Sequence, residues 1–174
     1  MNITDIKTDL VYIRTIVKED LPDLIDYLAD DLTMKFFDHG ALNEAAILLL
    51  IEKKNVIYGI CDVLTNKLIG HFVYHQWFMI DTYEIGWVLN KDYHNKGIMT
   101  GLAKAFIDFS FTVDKAHRIV ATCQPENQAS KRICEKAGMR LEGLFQKCIY
   151  VKRTDEWWDE LFYALLAEEY NKKE

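Results

Sequence analysis

Proline is nearly missing from this chain: two occur in 174 residues, Pro22 and Pro125. No proline-rich linker divides it, and no internal repeat or low-complexity segment does so either. Paired cysteines are missing as well. Cys61, Cys123, Cys134 and Cys148 form no C-x-x-C, and no histidine cluster stands beside them. That argues against a zinc site and against a disulfide framework; reduced thiols in a cytoplasmic protein are expected. Long apolar runs are absent. The longest, residues 45–51, is too short to cross a bilayer. The first ten residues, MNITDIKTDL, carry neither the basic nor the apolar stretch of a signal peptide, so no membrane association is expected. Positive charge is in the minority, with 21 Lys and Arg against 27 Asp and Glu and a formal net charge of -6. A nucleic acid, which wants a basic face, is not an expected partner. A cationic partner, an amine or a basic protein tail, suits this balance. Neither G-x-x-x-x-G-K-[ST] nor G-x-G-x-x-G occurs, so P-loop and dinucleotide-binding folds are unsupported.

What is present is 50% hydrophobic and 28% charged residues, a globular composition that fits a single domain over residues 1–174. Apolar alternation predicts strands at 10–16, 55–64, 67–78, 82–89, 117–124, 141–151 and 157–166, the last also fitting helical spacing. Thr65-Asn66 is a hairpin turn. Helices are predicted at 18–29 with Pro22 in the first turn, at 43–52 capped by Asn43, after Lys96, and at 127–136 closed by Gly138. Residues 167–174 are helical or frayed. Strand, helix and strand across 83–124 make a βαβ unit, parallel and right-handed. The remainder is largely antiparallel, so the class is α+β around one central sheet.

Tyr93-His94-Asn95-Lys96-Gly97 is a bare polar turn between a strand and the next helix. In that helix Ile98, Leu102, Phe106 and Phe109 recur at spacings of four, four and three, widened by Ala105 and Val113. This stripe faces the sheet, so the free N–H groups of the first turn point at the end of the preceding strand. Unpaired donors at the positive end of a helix dipole make an anion site. Gly97 removes a Cβ there, Lys96 adds charge and Thr100 adds a hydroxyl. The residues alone admit two readings, a phosphate site or an ordinary helix start.

Two further patterns bear on that choice. Asn127, Ser130, Lys136, Gly138 and Met139 fit N-x-x-[AS]-x-x-x-x-x-K-x-G-[FM]. The order of strands and helices fits the same family. Together with the turn they resemble the GNAT superfamily of acetyl-CoA-dependent N-acetyltransferases, over essentially the whole chain. The tail residues Arg153, Trp157, Asp159, Tyr163, Leu165, Leu166, Glu169 and Tyr170 are similar to the closing strand of its ribosomal-protein branch, the RimJ/RimL-like enzymes. In the family's Q/R-x-x-G-x-G/A turn, His94 stands for Gln or Arg and Met99 for a small residue; Asn95 replaces a frequent glycine.

The resemblance implies a mixed, mostly antiparallel sheet of about seven strands, with two splayed parallel strands in the middle and helices flanking it. It implies acetyl-CoA as donor and a primary amine as acceptor, either a protein N-terminus or a small amine such as a polyamine, aminoglycoside or amino acid. A CoA-binding domain without turnover is the third reading. His94, Asn95, Lys96, Gly97, Ile98, Met99 and Thr100 would wrap the diphosphate. Backbone groups of Trp87, Val88 and Leu89 would meet the acetyl and pantetheine, and Asn127 would touch the arm. No metal is implied. Glu84 shares a strand face with Gly86 and Val88, while Tyr83, Ile85, Trp87 and Leu89 face the other way. Glu84 is either general base or plain ion-pair partner. Many relatives carry a tyrosine acid seven residues after the asparagine; Cys134 occupies that position here. Ser130 is then the proton donor, or only a helix cap. Cys134 has no nearby histidine to make it a nucleophile. Phe36-Phe37, Trp77-Phe78 and Trp157-Trp158 are expected in core or interface, some lining the acceptor pocket. His39, His71 and His75 are expected as surface or sheet residues. Exposed aromatics near the last strand allow a homodimer.

Overall fold

Seven alternating segments pair into one sheet with the order β1-β2-β3-β4-β5-β7-β6. The strands are β1 (Val11–Thr15), β2 (Ile57–Asp62), β3 (Leu68–Gln76), β4 (Thr82–Leu89), β5 (Arg118–Cys123), β6 (Arg140–Val151) and β7 (Glu156–Leu166). A computed structural model describes residues 2–53 and 56–170. The helices are α1 (Leu21–Leu28), α2 (Asp31–Met34), α3 (Glu44–Ile51), α4 (Ile98–Thr112), α5 (Gln128–Lys136) and α6 (Ala167–Tyr170). The expected α+β architecture is therefore met. Residues 157–166, which also fit a helix, form a strand because β5 and β6 supply ladders on both sides.

All neighbouring pairs are antiparallel except β4 with β5. That parallel ladder is short: Thr82, Tyr83 and Glu84 pair with Arg118, Ile119 and Val120. Beyond it, β4 stays on β3 as far as Leu89, and β5 stays on β7 as far as Cys123. Each strand is held straight by its outer neighbour while the inner edges part. The expected splay is thus a property of the ladder.

One face of the sheet packs on α4. Ile69, Phe72, Ile85 and Leu89 join Leu102 and Phe106 in the larger core cluster, with the Phe72 and Phe106 rings stacked at 3.8 Å between centroids. The other face meets α1 and α3 through Leu24, Tyr27, Leu28 and Ile47, which pack with Leu68 and Val88. Farther along the same face, Val120, Phe162 and Ala164 form a small cluster with Trp77 and no helical residue.

Four expectations are adjusted. The 18–29 helix is split into a 3-10 turn at Lys18–Asp20 and α1, and α2 follows separately. The Asp20 carboxylate is the cause: it accepts from the Arg14 guanidinium at 2.6 Å twice and from the Val17 N–H at 2.8 Å, tying the first turn back to β1. Val113 is not part of the apolar stripe. It lies just past the end of α4 and is 37% exposed. The strand expected from 55 begins at Ile57, with Asn55 outside the described residues. Residues 171–174 lie outside them too, so only Ala167–Tyr170 of the expected last segment is seen as helix.

Candidate functional site

The gap between β4 and β5 opens into a cleft of about 610 Å³. Trp87, Val88 and Leu89 line it from β4, the 94–100 turn from the start of α4, and Asn127 and Ser130 from α5. Every cofactor-contact residue expected from the sequence is therefore at this cleft, and so is Ser130. Phe36 and Phe37, beside α2, add an aromatic wall.

The start of α4 is built for donation. Gly97 sits at its N-cap with φ 77° and no side-chain cap, whereas Asn43 caps α3 and Asn127 caps α5. The first N–H groups of α4 have no intrahelical acceptor. Asn95 and Gly97 both take left-handed backbone, φ 61° and 77°, a curl that turns successive amides inward. A Cβ at Gly97 would meet no atom within 4 Å. Glycine is required there by its dihedral and by the space it leaves open, not by packing. His94 is already committed, its Nε2 lying 3.0 Å from the Leu89 carbonyl oxygen; it closes the turn onto the strand end. The side chains of Ile98 and Met99 are buried in the core, so these residues present only backbone to the cleft.

Charge is segregated in this acidic chain. Lys35, Lys91, Lys96, Arg132 and Lys136 line the cleft against the single carboxylate of Glu126. Lys91 is paired with Asp30 at 2.7 Å, and Lys96 lies over the Tyr93 ring at 4.8 Å. Arg132 escaped the sequence reading and Lys136 entered it only as a motif residue, although their spacing of four with Gln128 marks one face of α5. This donor-rich, cationic cradle fits a diphosphate. Among the described residues no cluster could hold a metal ion, and no helix is long and apolar enough to cross a membrane.

Glu84 is not in the cleft lining. It stands on the sheet face away from α4, opposite His75 on β3, with Oε2 3.4 Å from Nε2. Burial pushes its carboxyl above the usual range, and the His75 charge opposes the shift. Glu160 on β7 was missed by the sequence reading. Burial raises it too, a hydrogen bond with Thr122 opposes, and the Glu84 charge adds to the rise. No local pattern joins residues 84 and 160; only the β4-β5-β7 order does. Cys134 is wholly buried, and burial drives its thiol far up, so a reactive thiolate is not held there. His71 is a buried sheet residue bonded to the Tyr27 hydroxyl at 3.0 Å; burial lowers it to about 4, so it is neutral at pH 7.

Known proteins share this fold. Residues 11–140 match the family described as the acetyltransferase (GNAT) domain. The chain is 40% identical over 170 residues to the uncharacterized N-acetyltransferase YnaD of Bacillus subtilis (strain 168), covering 95% of this chain and 99% of that protein. It resembles the crystal structure of a GNAT-family acetyltransferase from Bacillus anthracis at 41% identity and TM-score 0.89, covering 94% of this chain and 99% of that one. A spermidine N-acetyltransferase from Vibrio cholerae, solved with CoA and spermine, shares the fold at 17% identity and TM-score 0.79, over 94% of this chain and 99% of that one. A cation-lined gap between diverging strands, an uncapped helix start beside it and these matches lead to one conclusion: the chain belongs to the GNAT family of acetyltransferases.

Proposed function

We propose that this acetyltransferase moves an acetyl group from acetyl-CoA to a primary amine, with a protein N-terminus as acceptor in the manner of the RimJ/RimL branch. The observation that carries the transfer reading is the three-residue β4–β5 ladder: past Glu84 the strands part, and the parted end of β4 at Leu89 lies beside the uncapped start of α4. It leaves a strand edge and a row of free amides in one cleft. Acetyl-CoA supplies an activated thioester there. The amides of the 94–100 turn and the charge of Lys96 hold its diphosphate, aided by Arg132 and Lys136. The backbone of Trp87, Val88 and Leu89 aligns the arm, and an amide near Val88 polarises the carbonyl, a contribution of roughly 2.7–4 kcal/mol per donor in oxyanion sites. The Asn127 Oδ1 accepts from the Ser130 N–H at 3.2 Å, which leaves the Asn127 amide hydrogens for the arm.

The acceptor side follows from charge. Glu84 and Glu160 are half-buried carboxylates on the sheet face away from α4. They attract an ammonium, and Glu84 then takes its proton through water. Ser130 donates to the sulfur as it leaves. A short polyamine is the second reading, because the same two carboxylates suit a polycation. The RimJ/RimL reading rests on the tail residues from Arg153 to Tyr170. Exposed Leu144, Phe145, Tyr150 and Trp157 on β6 and β7 support a homodimer, which light scattering at micromolar concentration checks.

The deciding experiment is thiol release from acetyl-CoA across N-terminal peptides and free polyamines. Release with peptides alone supports the protein-acceptor reading, and release with polyamines alone selects the second. Tight acetyl-CoA binding with no release for any amine would leave a CoA-binding domain without turnover.

A further inference from the structure

Trp87 and Ser130 meet across the gap the strands leave. The Trp87 Nε1–H donates to Ser130 Oγ at 3.3 Å, joining β4 to α5. The indole is backed by Phe72, 6.0 Å away between ring centroids. The Ser130 backbone is fixed by the Asn127 cap. A hydroxyl has one proton and two acceptor sites, whereas an indole nitrogen only donates. The indole therefore fills an acceptor site of Oγ and cannot compete for its proton.

That proton has no acceptor among the described residues. Two hydroxyls deeper in a helix contrast with it. Ser110 donates to the Phe106 carbonyl at 2.6 Å and Thr112 to the Asp108 carbonyl at 2.7 Å. Such back-bonding absorbs a hydroxyl proton inside the helix. Ser130 lies in the first turn of α5, where no helical carbonyl stands four residues behind, and it lines the cleft.

We infer that Trp87 is a positioning residue whose indole N–H pins the Ser130 hydroxyl so that its free O–H points into the cleft, toward the leaving sulfur. This rests on the acetyl-transfer reading above. In that transfer the acceptor nitrogen bonds the acetyl carbon, the carbon–sulfur bond breaks, and sulfur keeps the electron pair. Ser130 gives sulfur a proton; the nitrogen, whose first proton Glu84 has taken, sheds a second on forming the amide, and that one reaches Ser130 through water. A donor to Oγ polarises the hydroxyl and makes it a better donor in turn. A thiol of pKa near 8.5 asks for little help, so a weak acid held in place suffices.

Four proteins test this: wild type, Trp87→Phe, Ser130→Ala and the double variant. Phenylalanine keeps an aromatic ring on the Phe72 side and removes the N–H together with part of the indole's volume. Ser130→Ala is expected to lower kcat about tenfold, below the usual range for a general acid. Trp87→Phe should lower kcat about fivefold with the KM for acetyl-CoA within about twofold, and should change nothing further in the Ser130→Ala background. Multiplying effects, or a raised KM with unchanged kcat, would make Trp87 a cofactor wall and overturn the positioning role. Wild-type kcat in Ser130→Ala would also overturn it, while thiol release by the wild type would still uphold acetyl transfer. An independent readout needs no Trp87 variant. The Trp87 indole N–H resonance, assigned through its contacts to Phe72, should shift in Ser130→Ala; an unmoved resonance refutes the bond in solution.

Discussion

Gly97 combines a left-handed φ of 77° with open space where a Cβ would stand. A side chain there is strained and projects into the cleft. Gly97→Glu is expected to abolish acetyl-CoA binding by crowding and repelling the diphosphate, and calorimetric titration checks it; wild-type affinity would contradict the assignment. Glu84 makes a different prediction. A base works ionised, and burial holds this carboxyl above the usual carboxylate range. The acid limb of kcat/KM should therefore rise with pH through an apparent pKa above that range. Glu84→Gln should flatten the limb and lower kcat while leaving acetyl-CoA affinity nearly intact. A pH profile identical to wild type would take Glu84 out of the proton path. Glu84 and its strand face were legible from alternation. Glu160 was not, because nothing near it in the chain marks it.

The first helical segment shows how a single ion pair shapes an element. Asp20 is 6% exposed and holds both Arg14 and the Val17 amide. Burial is the largest single influence and would raise its carboxyl, but the Arg14 hydrogen bonds, the Val17 N–H and the Arg14 charge together outweigh it and the net shift is downward. A lowered carboxyl pKa means that this stabilisation is present above the unfolded value, near 3.9, and is lost as pH falls through the folded one. Asp20→Ala leaves the half-buried guanidinium unpaired and should cost about 2 kcal/mol at pH 7, read from urea unfolding. The gap from wild type should shrink on acidification. The caps Asn43 and Asn127 were legible because a capping side chain bonds within three residues. The split near residue 20 was not, because its cause sits on β1.

Binding should stabilise the fold as well as feed the chemistry. A ligand at a hundred times its Kd adds about 2.7 kcal/mol, and a chain of this size gains roughly 2–4 °C per kcal/mol. Acetyl-CoA at that excess should raise Tm by about 5–10 °C, measured by scanning calorimetry, and should leave Gly97→Glu unmoved. The acidic total of -6 gave no hint of the cationic cleft, since Lys35, Lys96, Arg132 and Lys136 come from separate parts of the chain. By itself the sequence determined the strands, most helices, the glycine of the polar turn and the turn of free amides, because each depends on residues within a few positions of one another. The tertiary structure alone decided where β4 and β5 part, which charges gather on each side of the sheet, and that the Trp87 indole reaches Ser130. Those are meetings of residues dozens of positions apart, and only the order of strands in the sheet brings them within reach.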